Sequence, residues 1–157
     1  AAPTSSTRSG PPVELFRFTD HGAAVAFLAE ALEALLAVEP LASVAVLTPD
    51  PDLSASYHSG LARARVPGLR LVPDQRFTFR PGVDVTEIEQ VKGLEFDYVV
   101  LVEASAEHFP GDLASRRLLY VGATRAVHQL WITSVGTVTP LLAGMHGSEP
   151  TWETTFP

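Results

Sequence analysis

Two short runs in the chain hold residue types that could do chemistry together. The first is "VKGLEF" (Val91 to Phe96), which sets a lysine, a glycine and a glutamate just ahead of the apolar stretch "DYVVLVE" (Asp97 to Glu103). A glycine there lets backbone approach a ligand closely. Free backbone N–H groups at a helix start favour phosphate. The carboxylate of Glu95 can accept hydrogen bonds from ribose hydroxyls. The same residues also read as a turn at Gly93, a solvated Glu95 and two core side chains, Leu94 and Phe96. The second run is "RRLLYVGATRAV" (Arg116 to Val127), with Arg125 near the end of a helix whose apolar face carries Leu118, Leu119 and Val121. An arginine there either caps carbonyls or stands in solvent. Alternatively it points at a phosphate, for which a planar, permanently charged fork is well suited. An arginine that neutralises charge developing on a transferred γ-phosphoryl group is an arginine finger.

The elements that must position these runs alternate in type. "VELFRF" (Val13 to Phe18) reads as a strand. Thr19 or Asp20 can cap the helix that follows, whose apolar positions Val25, Leu28, Leu32 and Leu35 share one face until Pro40 stops it. "SVAVLT" (Ser43 to Thr48) is a strand. A second helix follows with Leu53, Tyr57 and Leu61 on one face, and the Asp50/Asp52 pair around Pro51 reads as its cap. Strands are expected at "GLRLV", "VDVTEI", "DYVVLVE" and "HQLWITS", and a third helix over "SRRLLYVGATRAV". Alternating strands and helices imply an α/β fold with a mostly parallel central sheet flanked by helices. Ligands of such sheets sit beyond the carboxyl ends of the strands. Arg125 is expected at that edge.

Composition limits the alternatives. The 157 residues fit one domain, and 46% hydrophobic with 18% charged residues can bury a core. "AAPTSSTRSGPP" (residues 1–12) reads as a linker or frayed start, residues 13–142 as the domain, and residues 143–157 as a tail, with Trp152 and Phe156 packing on the domain or a neighbour. There is no cysteine, so no disulfide or cysteine-based zinc site forms, which fits a reducing, cytoplasmic setting. No apolar run is expected to reach the roughly 18 residues that span a bilayer. A net charge of −7 argues against binding nucleic acid through the bulk field. His21, His58, His108, His128 and His146 are scattered without metal-ligand spacing. No phosphate loop ending in Lys-Ser or Lys-Thr occurs, and Lys92 is the single lysine.

Together the two runs resemble a known family. "TEIEQVKGLEFDYVVLV" is similar to motif V, and "RRLLYVGATRAVHQL" to motif VI, of the UvrD/Rep-type superfamily 1 helicases. Both motifs belong to the second RecA-like domain, a three-layer sandwich, and the resemblance covers roughly residues 11 to 142. It implies that Arg125 contacts the γ-phosphate, that Glu95 contacts the ribose, that Lys92 and Gly93 shape the motif V loop, and that Thr124 supports the arginine. It places Thr86, Glu89 and Gln90 on the nucleic-acid side. It implies ATP with Mg²⁺ as cofactor in the parent protein. The first RecA-like domain, carrying the phosphate loop and the Mg²⁺-holding acid, and single-stranded or duplex DNA are the implied partners, with no membrane.

The chain departs from the family's pattern in two further places. The large insertion of UvrD between "AVLTP" and "KGLEF" is absent. The histidine that UvrD-type motif V offers to single-stranded DNA falls at Glu89, two positions after Glu87, and two carboxylates repel a phosphodiester backbone. The stretch "VVLVEASAEHFP" through "SVGTVTPLL" is similar to the HelD-like ATPases, which act on RNA polymerase. Three expectations follow. One is the C-terminal motor half-domain of an ATP-dependent helicase or translocase. Another is a HelD-like polymerase-remodelling factor. The third is a RecA-like docking module without ATP use. On the first reading the parent is the ATPase, and this chain alone is inactive.

Overall fold

In the computed structural model, which describes residues 11–144, the alternating pattern becomes strands β1 (Val13–Phe18), β2 (Ser43–Thr48), β3 (Leu69–Leu71), β4 (Gly82–Glu87), β5 (Phe96–Leu101) and β6 (Ala126–Val135). Helices α1 (His21–Val38), α2 (Pro51–Arg63) and α3 (Leu113–Ala123) lie between them, with short 3-10 turns at Ile88–Val91 and Pro140–Leu142. The linker expectation for residues 1–10, and that for the tail beyond residue 144 with His146, Trp152 and Phe156, lie outside the described residues.

The strands form one sheet in the order β1-β6-β5-β2-β4-β3. Every pairing is parallel. The central strand β2 is sealed on both faces, with Val44, Ala45, Val46 and Leu47 all at 0% exposure, as a helix-covered parallel strand requires. α1 and α2 cover one face, where Leu28, Leu32, Leu35, Tyr57 and Leu61 pack on Val44, Val46, Val100 and Trp131. α3 and the 3-10 turn at Ile88–Val91 cover the other, where Leu119, Ile88 and Val91 meet Leu47, Val99, Leu101 and Ile132. The result is three layers.

Aspartates start all three helices. Asp20 accepts from the Ala23 N–H at 2.8 Å, Asp50 from Leu53 at 2.9 Å and Asp112 from Ser115 at 2.8 Å. The expectation of no bilayer-length apolar stretch needs correcting. α1 has 18 residues and a mean hydropathy of 1.6, enough to cross a membrane by length and composition. Eight of its residues pack into the core, and Glu30 and Glu33 stand on its exposed side, so here it behaves as a core helix.

Two of the boundaries that differ from the sequence reading bear on the site. The third helix ends at Ala123 rather than Val127, because Ala126 is drawn into the ladder opposite Phe96. Thr124 caps that end, its hydroxyl donating to the Tyr120 carbonyl at 2.9 Å. Strand β5 stops at Leu101, and Glu103 turns back into the protein with a φ of 60°.

Candidate functional site

The turn at residues 92–95 and Arg125 do come together, but at the amino-terminal edge of the sheet and not at the carboxyl edge the general rule suggested. The reason is topological. For β5 to run parallel to β4, the connecting segment must carry the chain back to the amino ends of the strands first. Residues 88–95 make that return, so the turn that closes it lies where β5 begins. α3 makes the same return before β6, so its last residues arrive at the same place.

Arg125 joins the two runs there. Its Nε donates to the Val121 carbonyl at 3.0 Å, one Nη to the Leu94 carbonyl at 3.4 Å, and the other Nη to the Thr124 hydroxyl at 3.0 Å. Its own carbonyl accepts from the Phe96 N–H at 3.0 Å. The arginine therefore caps the Val121 and Leu94 carbonyls. It does so without being used up, since three of its five N–H donors are engaged. Gly93 adopts a φ of 81°, a conformation that favours glycine, and nothing lies within 4 Å of where a Cβ would stand. Its glycine is needed for the backbone angle and leaves open space above the turn. Lys92 and Glu95 are both exposed beside it.

The carboxyl edge, by contrast, is tied up internally. Glu103, 1% exposed, accepts from the Tyr57 hydroxyl at 2.6 Å and faces His21 Nδ1 at 2.8 Å, with His108 Nε2 at 3.8 Å. Burial, and next the Glu103 charge, push the Tyr57 hydroxyl pKa well up. Alongside, Ser54 bridges Thr48 at 2.6 Å and Glu87 at 2.5 Å. Sequence reasoning treated Tyr57 as a packing residue, Glu103 as a strand end and the histidines as scattered; only contact across α1, α2 and β5 reveals the cluster. No group of three or more His, Asp or Glu among the described residues has metal-binding geometry.

The residues expected on the nucleic-acid side do not gather. Thr86 is fully buried, and its hydroxyl donates to the Val72 carbonyl at 2.8 Å, so its side chain is spent inside the protein. Gln90 is half-buried, with its Oε1 buried and without a partner among the described residues. Glu89 is exposed and shares with Lys92, Ser115, Arg117 and Val121 a groove of about 370 Å³ between the turn and α3.

The portion of the chain that builds this edge has known counterparts. Residues 82–133 match the UvrD-like helicase C-terminal domain. That helicase-type segment runs from β4 to β6 and includes the whole 92–95 turn and Arg125. Among solved structures, the C-terminal domain of a possible DNA helicase from Lactobacillus plantarum WCFS1 is similar at 29% identity. Its TM-score is 0.67, with 87% of this chain and 82% of that one covered. The UvsW helicase from bacteriophage T4 shares the fold, at 9% identity and a TM-score of 0.52, over 79% of this chain and 46% of that one. No curated protein matches the sequence. The helicase C-terminal domain resemblance therefore stands at its broader level, and the three-layer all-parallel architecture is that of a RecA-like domain.

Proposed function

We propose that this chain is the second RecA-like domain of a superfamily 1 helicase or translocase and supplies half of an ATP site. The observation that carries this reading is the bonding of Arg125 to the Leu94 carbonyl, within one matched segment and on one open edge. The partner is a first RecA-like domain of the parent protein, bringing the phosphate loop and the Mg²⁺ ligands.

The geometry fits a nucleotide. ATP supplies a transferable γ-phosphoryl group and a ribose with two hydroxyls. Glu95 stands exposed to accept from those hydroxyls. Gly93 keeps the turn's surface open, and Lys92 adds a positive charge beside it. Arg125 is anchored through Nε, while its Nη atoms hold a long 3.4 Å contact and a neutral hydroxyl. Exchanging those for charge-assisted bonds to a phosphate is favourable, because such bonds are about twice as strong. Thr124 holds the fork ready in the meantime. Closure of the cleft between the two domains would bring the fork to the γ-phosphate, coupling domain motion to hydrolysis.

The test is Arg125→Ala in the parent protein, assayed for nucleic-acid-stimulated phosphate release. Turnover is expected to fall by roughly 10³-fold or more. Unchanged turnover would sink the motor reading and favour a docking module. A HelD-like role on RNA polymerase is the finer alternative. The "EASAEHF" segment that suggested it is mostly structural here: Glu103 and Phe109 are buried, and Glu107 is its exposed acid. Failure of the parent to retain RNA polymerase in a pull-down would remove it.

A further inference from the structure

We propose that the loop 72–81, between β3 and β4, is a contact site for single-stranded nucleic acid. Phe79 would stack on a base, and Arg76 and Arg80 would take the flanking phosphates. The loop reads "VPDQRFTFRP", an aromatic pair interleaved with arginines. Residues 63–80 hold five of the chain's eleven basic residues and one of its eighteen acidic ones, in a molecule of net charge −7. The local field is thus opposite to that of the whole. The motif V rim, with Glu87 and Glu89, repels the same polymer.

The structure arranges these side chains for contact. Phe79 is 77% exposed, although an aromatic ring gains by burial. Its backbone is held at a φ of 58°, costly for a bulky residue. Its ring lies 6.1 Å from that of Phe77, which lies 6.0 Å from that of Phe96 at the start of β5. The exposed ring thus stands at the end of an aromatic ladder rooted in the core. Arg70 stiffens the loop's return, donating to Asp84 at 2.7 Å, to the Pro81 carbonyl at 3.1 Å and to the Arg80 carbonyl at 2.8 Å. The side chains of Arg76 and Arg80 are exposed and make no hydrogen bond or ion pair with the described residues. A rigid aromatic platform flanked by free guanidinium groups matches the way single strands are held without sequence preference.

The proposal takes its class of polymer from the motor reading but uses none of the Arg125 machinery, so the two fail separately. The test is fluorescence anisotropy of a labelled oligo-dT with this chain at low salt, with folding of each variant checked by circular dichroism. Saturable binding is expected, weakened about tenfold by Phe79→Ala and largely retained by Phe79→Tyr. Arg76→Gln with Arg80→Gln should lower the log–log salt slope by about 1.4, corresponding to two single-strand phosphates. Arg17→Gln, an exposed arginine on β1 outside the loop, should bind nearly as wild type. Absence of binding, or equal binding by Phe79→Ala, overturns the proposal. So does loss of a fluorescent ADP analogue's binding in Phe79→Ala while oligo-dT is unaffected, which would assign the ring to the nucleotide's base.

Discussion

At the scale of single residues, Glu103 carries an unusual set of demands. It is a carboxylate at 1% exposure on a backbone with positive φ, and Tyr57 and His21 are its short contacts. A buried carboxylate that loses a donor bears the desolvation cost of the group left behind. Tyr57→Phe is therefore expected to destabilise the chain by about 1–3 kcal/mol, read from urea unfolding midpoints at neutral pH. The tyrosines also set an alkaline limit. The Tyr98 hydroxyl, buried and bonded to Glu39, has its pKa pushed up to about 12, and that of Tyr57 is pushed up as well. In the unfolded chain both ionise near 10. The folded state then holds protons that the unfolded state has released, so stability is intact below about pH 10 and falls as pH rises from there towards 12. Tyr98→Phe should flatten that fall; an unchanged slope between pH 10 and 12 would contradict the assignment. Little of this was legible beforehand. Tyr57 sat at helix spacing with Leu53 and Leu61, which is a packing signal, and no local pattern reports a partner 46 positions away.

At the scale of elements, what lay close in sequence was readable and what depended on crossovers was not. Asp20 and Asp50 stood where helices begin, because a short acceptor just before an apolar repeat has one local use. The strand expected at "HQLWITS" forms within β6, and its Trp131 is 1% exposed. The edge on which Arg125 stands was misread, because it depends on where each connection returns the chain. The alternation Arg76-Phe77-Thr78-Phe79-Arg80 has the period of a strand although the segment forms a loop, and its aromatic ladder exists only once Phe96 is beside Phe77. Glycines mark another non-local constraint. Gly82 opens β4 at a φ of 125°, and a Cβ there would collide with the Gly68 carbonyl, which also accepts the Val83 N–H at 2.8 Å. Gly82→Ala thus strains the backbone and separates β3 from β4. A loss of about 2 kcal/mol or more is expected in thermal unfolding, against a few tenths for an exposed substitution such as Ala37→Ser. A Gly82→Ala variant as stable as wild type would show that the two strands can part without cost.

At the scale of the whole molecule, the proposed half-site faces outward and awaits a second surface. This chain, having no Lys-Ser or Lys-Thr phosphate loop, is expected to release no phosphate from ATP above background. A sensitive phosphate assay with and without oligonucleotide checks this, and genuine turnover would mean a complete site lies within these residues. The sheet's outer pairing has a consequence of a different kind. β1 lies at the margin of the sheet and pairs in parallel with β6 through six positions, from Val13 opposite Leu130 to Phe18 opposite Val135. The backbone reaches β1 at its amino end, and β6 gives it up at its carboxyl end, so these two points lie at opposite ends of the shared ladder. Tension applied between them runs along the strands. It loads all the rungs at once in shear and cannot peel them apart one by one. The β1–β6 margin therefore resists a pull along the strands more strongly than one across them.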